Sequence, residues 1–234
     1  KSSPKIRGRP MKVVISLGGA LLTKDLSAEN IKRYAESLKK LQAQGHQLVV
    51  VCGGGRTARG YQQIAKELGG ESRILDRIGV LATHMNALLI IAALGEAADN
   101  LVFKRANNVK RHFGKRILVG GGYLPGCSTD YRAALFANAV KADLIVNATD
   151  YGGVFDKDPS KHLDAHQFKV LSFSDFEEII KERFKQAPGD YGLFDLKATK
   201  FIKKHRIRTV IIDGTDPEEI VRAVEGGHSG TTIE

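Results

Sequence analysis

Short apolar runs recur along the chain, and most of them end in glycine shortly before a helical pattern begins. They cover residues 13–17, 48–52, 117–119, 144–147 and 209–212. The runs are nearly continuous rather than alternating in polarity, as expected for strands of a sheet that helices cover on both faces. Strands that alternate with helices indicate a parallel arrangement. The pattern therefore predicts an α/β fold, a three-layer αβα sandwich with a mainly parallel central sheet.

Helical periodicity is clearest in two segments. Apolar residues recur at helical spacing between the first two strands, where Ser27 can cap the helix start and Gly45 lies just past its end. Residues 77–98 form a second helical pattern, whose apolar stripe is too wide for a helix that packs on one surface only. We expect this helix to lie centrally in the core or at a subunit interface.

Two late helices have recognisable starts, and two segments look like loops. Residues 174–177 have the form of a capping box, and residues 216–219 supply an N-cap, a proline and early acids. Residues 151–166 and 186–192 are polar and contain glycine and proline. We expect these two segments to be loops close to a functional site.

Composition and charge indicate one globular unit with an anionic ligand. The 234 residues are 42% apolar, enough for one substantial core. Four charges of the net +10 lie in residues 1–10, which we interpret as a leader; residues 11–234 are then expected to form one domain with a charge of +6. No recognition helix or aromatic platform indicates nucleic acid, so an anionic small substrate fits best.

Other features point to an intracellular protein. No apolar run reaches the roughly 18 to 20 residues that a membrane span needs, and no secretion signal is recognisable. Cys52 and Cys127 are too few for a disulfide framework or for paired zinc ligands, and the seven histidines show no ligand spacing. We expect a cytoplasmic protein with reduced thiols, no protein-held metal and no membrane or nucleic-acid partner.

Glycine clusters follow three of the predicted strands, at residues 18–19, 53–55 and 120–122. Glycine lets backbone N–H groups approach an anion closely, and a following helix N-terminus adds a partial positive charge. In a parallel sheet these loops gather at the carboxyl edge, where open α/β sheets bind ligands. A single cluster could be only a tight turn, but three favour a site for two phosphorylated molecules.

One glycine cluster also fits a dinucleotide-binding motif. Gly53, Gly55 and Ala58 have its spacing, and Asp76 stands where a ribose-binding acid is expected. Against this alternative, the motif follows the second strand rather than the first, and Arg59 provides a guanidinium suited to phosphate transfer. A Walker phosphate loop is absent.

Seven segments match, in order, a pattern of the amino acid kinase family. They are residues 15–20, 51–61, 76–79, 121–130, 142–149, 153–159 and 230–233. Together they resemble the UMP kinases (uridylate kinases) of this family, most closely the archaeal branch, over essentially all of residues 11–234. The resemblance implies transfer of the γ-phosphoryl group of Mg-ATP to UMP, giving UDP and ADP for pyrimidine nucleotide biosynthesis. It also implies Mg²⁺ as cofactor and a homo-oligomer, a hexamer in the family.

The resemblance assigns site residues as well. UMP would contact Gly54, Asp76, Tyr123, Leu124, Pro125, Gly126, Cys127, Ser128 and Thr129. ATP would contact Gly19, Ala20, Gly55, Arg59, Thr149, Asp150, Phe155 and Asp158. The catalytic candidates are Arg59, which would offset charge on the transferred group, and Asp195, which would organise charge nearby.

Each assignment has a simpler structural alternative. Arg59 could be an exposed charge on a helix, Asp76 a helix cap, and Asp195 an ordinary helix acid. Thr149 and Asp150 could form a strand-to-loop turn, and Asp158 another turn.

Two positions depart from the family pattern. Many relatives have a lysine near the position of Ser16, so Lys12, Lys24 or Lys197 would have to supply that charge. Gly152 stands where relatives commonly have an acid.

Two further functions stay open, and these departures favour the second of them. One is another small-molecule kinase of this fold, although isopentenyl phosphate kinases have a histidine soon after the second glycine cluster that is missing here. The other is a non-catalytic protein that binds nucleotide or oxyanion for storage, since molybdenum storage proteins look like UMP kinases in fold.

Overall fold

The structure is a computed structural model that describes residues 9–124, 126–186 and 194–234; side chains are described in these ranges except for residues 183–186. Eight strands of this part of the chain form one sheet, in the order β3-β4-β2-β1-β5-β7-β8-β6. The strands are β1 (Lys12–Leu17), β2 (Gln47–Cys52), β3 (Ala98–Phe103), β4 (Ile117–Gly120), β5 (Leu144–Thr149), β6 (Val170–Leu171), β7 (Thr209–Asp213) and β8 (Thr231–Ile233).

Helices connect the strands and cover both faces of the sheet. They are α1 (Gly19–Thr23), α2 (Ala28–Ala43), α3 (Gly55–Glu67), α4 (Ser72–Leu94), α5 (Ala106–His112), α6 (Thr129–Val140), α7 (Phe173–Gln186), α8 (Leu196–His205) and α9 (Glu218–Glu225). A short 3₁₀ turn, Gly95–Ala97, joins α4 to β3.

Strand pairing is parallel throughout this sheet except between β7 and β8. β1 lies between β2 and β5, so the chain moves to opposite sides of β1 in its first and second halves. Such a switch point leaves a crevice at the carboxyl ends of the strands. All five predicted strands are confirmed, whereas β3, β6 and β8 were not predicted.

Two hydrophobic cores lie on opposite faces of the sheet. Val13 and Ile15 of β1 point into one core with α2, α4 and α9, while Val14 points into the other with α6, α7 and α8. Side chains that alternate between two buried faces explain the continuous apolar runs of the strands. The three-layer αβα prediction is confirmed.

The start of α2 is confirmed in detail. The side-chain oxygen of Ser27 accepts a hydrogen bond from the backbone N–H of Asn30 at 3.2 Å. Gly45, just beyond the helix, has a φ of +90° that favours glycine. At α9 the prediction is one residue too early: Pro217 is the N-cap rather than Asp216, although Asp216 accepts from the backbone N–H of Glu218 at 3.1 Å.

Two other helix boundaries were predicted wrongly. The helix predicted at residues 77–98 is α4, which begins five residues earlier and ends at Leu94. Gly95, with a φ of +58°, follows it, and Ala98 begins β3. The capping box expected from Ser174 is replaced by Ser172, which accepts from the backbone N–H of Asp175 at 3.1 Å. Here α7 begins one residue before Ser174.

Helix α4 is apolar on two sides. Ala82, Ala87 and Ile90 are buried in the core, while Met85 and Leu88 are about half exposed. With the 3₁₀ turn, the segment Ser72–Ala97 is long and apolar enough, by length and composition alone, to cross a membrane. That finding runs against the expectation of no such segment, but it is weak evidence, because a core helix passes the same test.

The expected loops are only partly described. Residues 151–166 form turns with one isolated bridge between Phe155 and Gln167. Of the loop expected at residues 186–192, Gln186 ends α7 and the rest lies outside the described residues, as do most of the leader and Pro125.

Candidate active site

The loops after β1 and β2 touch through their backbones. A Cβ atom built on Gly19 would lie 2.1 Å from the nitrogen of Gly55, and one built on Gly53 would lie 2.4 Å from the nitrogen of Gly19. Real Cβ atoms do not approach backbone atoms so closely. These glycines are therefore required for the two loops, and for the starts of α1 and α3, to lie together.

Two buried polar side chains fix this contact. Thr23 donates to the carbonyl of Gly19 at 2.8 Å and accepts from the backbone N–H of Arg56 at 2.7 Å. Asn86 of α4 donates to the carbonyl of Gly53 at 2.7 Å. Sequence reasoning missed both residues, since threonine and asparagine inside helical patterns carry no distinctive signal.

A cleft of about 510 Å³ opens beside the second glycine loop, between α3, α4 and the segment that follows β4. Seven of the nine residues proposed for UMP line it: Gly54, Asp76, Leu124, Gly126, Cys127, Ser128 and Thr129. Gly55 and Arg59 line it too. Tyr123 is not part of the lining, and Pro125 lies outside the described residues.

Asp76 joins α4 to this segment. It lies inside α4, whose first residue is Ser72, so the alternative that Asp76 caps the helix is wrong. Its carboxylate accepts a hydrogen bond from the backbone N–H of Gly126 at 3.0 Å. The same carboxylate remains on the cleft wall, where it can accept from a ligand hydroxyl.

The start of the segment is also held by α4. Thr83 accepts from the backbone N–H of Gly122 at 2.8 Å, and Nε2 of His84 lies 2.7 Å from the carbonyl oxygen of Gly122. Burial lowers the pKa of His84, and a neutral ring protonated at Nε2 suits this contact. Neither residue was predicted from the sequence.

Arg59 is an exposed residue of α3 on the cleft lining. It forms no ion pair with a carboxylate in the described part of the chain. The guanidinium is therefore free to meet an anion in the cleft. Arg56 is exposed on the same helix but does not line the cleft.

A chain of hydroxyl and carboxyl groups borders the cleft beyond Ser128. Ser128 donates to Asp195, which also caps α8 by accepting from the backbone N–H of Ala198 at 2.8 Å. Asp195 is thus a helix cap and a partner of the cleft wall, rather than an ordinary helix acid. Ser16 donates to Asp130 at 2.9 Å.

The carboxyl group of Asp130 is in an unusual electrostatic environment. Desolvation raises its pKa to about 7, the nearby charge of Asp195 acts in the same direction, and the hydrogen bond from Ser16 opposes them. Asp130 was not predicted as a site residue, although it directly follows Thr129 in a segment matched to the family.

The three candidate lysines differ in position. Lys12 begins β1 at the opposite edge of the sheet, with Nζ 3.4 Å from the carbonyl of Val140, so it cannot serve this site. Lys24 is exposed just after α1. Lys197 lies two residues after Asp195, with Nζ 4.6 Å from the ring centre of Tyr131.

The residues assigned to ATP follow β1 and β5. The loop of Gly19 and Ala20 lies beside the end of β5, since the backbone N–H of Gly18 donates to Ala148 at 2.9 Å. At that end, the hydroxyl of Thr149 accepts a hydrogen bond from the backbone N–H of Tyr151 at 3.2 Å. This bond forms the strand-to-loop turn that was the structural alternative for Thr149 and Asp150.

Asp158 and Phe155 lie further along this loop. Asp158 accepts from both the backbone and the hydroxyl of Ser160, so its turn role is present in the structure. Phe155 is half-buried beside Gln167. Asp213, at the end of β7, is a further carboxylate at this edge, and the Asp-Gly pair after a predicted strand was a signal for it.

A parallel sheet whose glycine loops meet beside a cleft defines a class of phosphate-binding α/β proteins. The model of the amino acid kinase family matches residues 11–213, and the chain belongs to this family. The dinucleotide-binding alternative is therefore wrong.

Similar proteins cover nearly the whole chain. The chain is 40% identical to the uridylate kinase of Haloarcula marismortui over 93% of its own length and 95% of that protein. It is 42% identical to the uridylate kinase of Methanococcus vannielii over 95% of its own length and 99% of that protein. The crystal structure of uridylate kinase from Archaeoglobus fulgidus is similar with a TM-score of 0.84 and 38% identity, covering 96% of this chain and 100% of that one.

Gly55→Ala should disrupt the backbone contact between the loops that contain Gly19 and Gly55. The φ of Gly55 is +61°, and a Cβ atom there would lie 2.2 Å from both the Gly19 carbonyl oxygen and the Thr23 hydroxyl. We expect the free energy of unfolding, measured by urea denaturation, to fall by about 1–3 kcal/mol or more. Gly60→Ala is the control: it lies in α3 with open space around it and should stabilise by about 0.5–1 kcal/mol. Equal effects at both positions would contradict the prediction.

Asp130→Asn should remove a pH-dependent contribution to stability. The folded chain binds the Asp130 proton more tightly than the unfolded chain, because the pKa rises from an ordinary 3.8 to about 7. The carboxyl group therefore lowers wild-type stability progressively as the pH rises through this window, with no further change above it. Urea unfolding of both proteins between pH 4 and 8 should show a stability difference, wild type minus variant, that falls and then levels off. A difference independent of pH would contradict this.

Proposed function

We propose that this protein is a uridylate kinase, which transfers the γ-phosphoryl group of ATP to UMP in the cytoplasm and gives UDP and ADP. The observation that carries the proposal is the cleft, in which a glycine loop, a free arginine and a carboxylate on a helix wall face the same space. Archaeal uridylate kinases, similar over nearly the full chain, support the choice of acceptor.

The cleft would hold UMP. Its phosphate would bind at the backbone N–H groups of Gly54 and Gly55, where α3 begins and its dipole favours an anion. Asp76 would accept hydrogen bonds from the ribose hydroxyls. The segment from Tyr123 to Thr129 would enclose the pyrimidine, because its residues Leu124, Gly126, Cys127, Ser128 and Thr129 line the cleft. The backbone N–H of Gly126 anchors it to Asp76 of α4.

ATP would bind on the other side of the glycine contact. The backbone around Gly19 and Ala20 begins α1 and would meet the β- and γ-phosphates, next to the end of β5. Thr149, Asp150, Phe155 and Asp158 would surround the nucleoside. Mg²⁺ would enter with ATP, because this ion usually keeps several waters and is bound largely by substrate phosphates. Among the described residues, no group of three or more His, Cys, Asp or Glu side chains could hold a metal ion.

Transfer in this arrangement depends on position and charge. The meeting of Gly19 with Gly55 would put donor and acceptor phosphates side by side, as direct transfer requires. Arg59 would bridge them and offset charge on the transferred group. Asp195 would hold Ser128, and Lys197 is the candidate lysine closest in sequence to this pair.

The proposed acceptor can be tested by kinetics. We expect UMP to give a higher kcat/KM than CMP, acetylglutamate or isopentenyl phosphate in a coupled ADP-release assay, because a site that hydrogen-bonds one base leaves buried groups unpaired with another. A higher value for any of the other acceptors would reject UMP as the substrate. No turnover with any of them would favour the storage alternative.

Arg59→Ala should lower kcat by about a hundredfold or more, since an arginine placed at a transferring phosphoryl group is worth about 10³ to 10⁵ in rate. Arg59→Lys should recover only part of the loss, because lysine lacks the bidentate fork. Arg56→Ala is the matched control on α3 and should leave kcat nearly unchanged. Normal kcat in the Arg59 variants, with unchanged thermal melting, would exclude Arg59 from the site.

We also propose that the chain forms a homo-oligomer, a hexamer by resemblance, through the outer side of α3 and α4. Leu81, Met85 and Leu88 form a half-exposed stripe on α4, Ile64 is exposed on α3, and Leu68 is exposed just after α3. The alternative that α4 is simply buried in the core is wrong for this stripe. Contiguous exposed apolar surface is typical of an interface.

Leu88→Glu should dissociate the oligomer, because it places a charge inside the interface. Light scattering at micromolar concentration should show a large assembly for the wild type and smaller species for the variant. Leu163→Glu, at a fully exposed leucine outside α3 and α4, is the control and should not change the mass. A monomeric wild type would reject the proposal.

A further inference from the structure

Arg132 is a buried arginine with unused hydrogen-bond donors. It lies in the first turns of α6 and is 4% exposed. Its Nε and Nη2 atoms are buried and have no hydrogen-bond partner among the described residues. A buried charged donor without a partner is costly, and native structures seldom retain one without a reason.

The guanidinium of Arg132 lies against an aromatic ring that a second arginine also contacts. The Cζ atom of Arg132 is 5.4 Å from the ring centre of Tyr123, and that of Arg105 is 5.2 Å from the same ring. Arg105 also donates to the Tyr123 hydroxyl at 2.6 and 2.8 Å. Arg132 therefore has aromatic contacts but no anion, and burial lowers its pKa.

The surrounding sequence carries a strong positive charge. Residues 100–129 contain no Asp or Glu but six lysines and arginines: Lys104, Arg105, Lys110, Arg111, Lys115 and Arg116. None of the six forms an ion pair with a carboxylate in the described part of the chain. Such a basic surface raises the local concentration of anions.

We propose that Arg132 is the centre of a phosphate-binding site, separate from the glycine loops and covered by Tyr123. Nε and Nη2 are the pair of guanidinium nitrogens whose parallel N–H bonds grip a phosphate group in bidentate fashion. Entry of the phosphate displaces the Tyr123 ring and frees Arg105 to act as the second cation. Because Tyr123 directly follows Gly122 of the cleft wall, occupation of this site changes the shape of the acceptor cleft.

The phosphate could belong to a free ion or to the acceptor nucleotide, and the experiment separates the two. Inorganic phosphate is titrated by calorimetry at constant ionic strength, without ATP or UMP, into proteins that carry Arg59→Met to remove the arginine of the cleft. Adding Arg132→Met should weaken phosphate binding by about tenfold or more, as expected for lost charged hydrogen bonds. Adding Arg116→Met, the control from the same basic segment, should change it less than about twofold. Unchanged binding after Arg132→Met would overturn the proposal.

Two further measurements test whether the variant is folded and whether the bound phosphate is a free ion or part of the acceptor nucleotide. Arg132→Met should raise the melting temperature without phosphate, because it replaces an unpaired buried charge by an apolar chain. If that variant does not fold, Arg132→Lys keeps the charge without the fork, and unchanged phosphate affinity in it would overturn the proposal. Weakened binding of UMP with unchanged binding of inorganic phosphate would also overturn it, by assigning Arg132 to the acceptor site. None of these outcomes depends on whether the chain phosphorylates UMP.

Discussion

The backbone contact between the first two glycine loops determines where much of the remaining structure lies. No side chain fits between Gly19, Gly53 and Gly55, so the ends of β1 and β2 and the starts of α1 and α3 are held at one point. Thr23 and Asn86 hold that point from α1 and α4. Two helix N-termini thereby meet at the carboxyl edge of the sheet, which makes this edge attractive to two anionic groups at once.

Ser16 changes the charge balance close to this point. A lysine there would neutralise Asp130, whereas a serine offers only a hydrogen bond. The carboxyl group therefore keeps a raised pKa and lies near a second carboxylate, Asp195. Serine at this position therefore leaves the pair without a cationic partner on β1, and Lys197, two residues after Asp195, has its Nζ 4.6 Å from the ring centre of Tyr131.

The sequence predicted best those features that depend on local pattern. Strands buried on both faces appear as continuous apolar runs, and glycine clusters mark their ends. β3 was missed because polar Asp99 and Asn100 interrupt the apolar run in this edge strand, next to a long helix. Thr83 and Asn86 could not be found, because their roles depend on which loop α4 packs against, and that is decided by contacts distant in sequence.

Helix α4 connects the cleft to the outer surface of the protein. On its inner side, Asp76 and Thr83 hold Gly126 and Gly122 of the cleft wall, while Leu81 and Leu88 on its outer side are about half exposed. Because both sets of side chains belong to one hydrogen-bonded helix, a partner on the outer stripe and a ligand in the cleft would contact the same element of the fold.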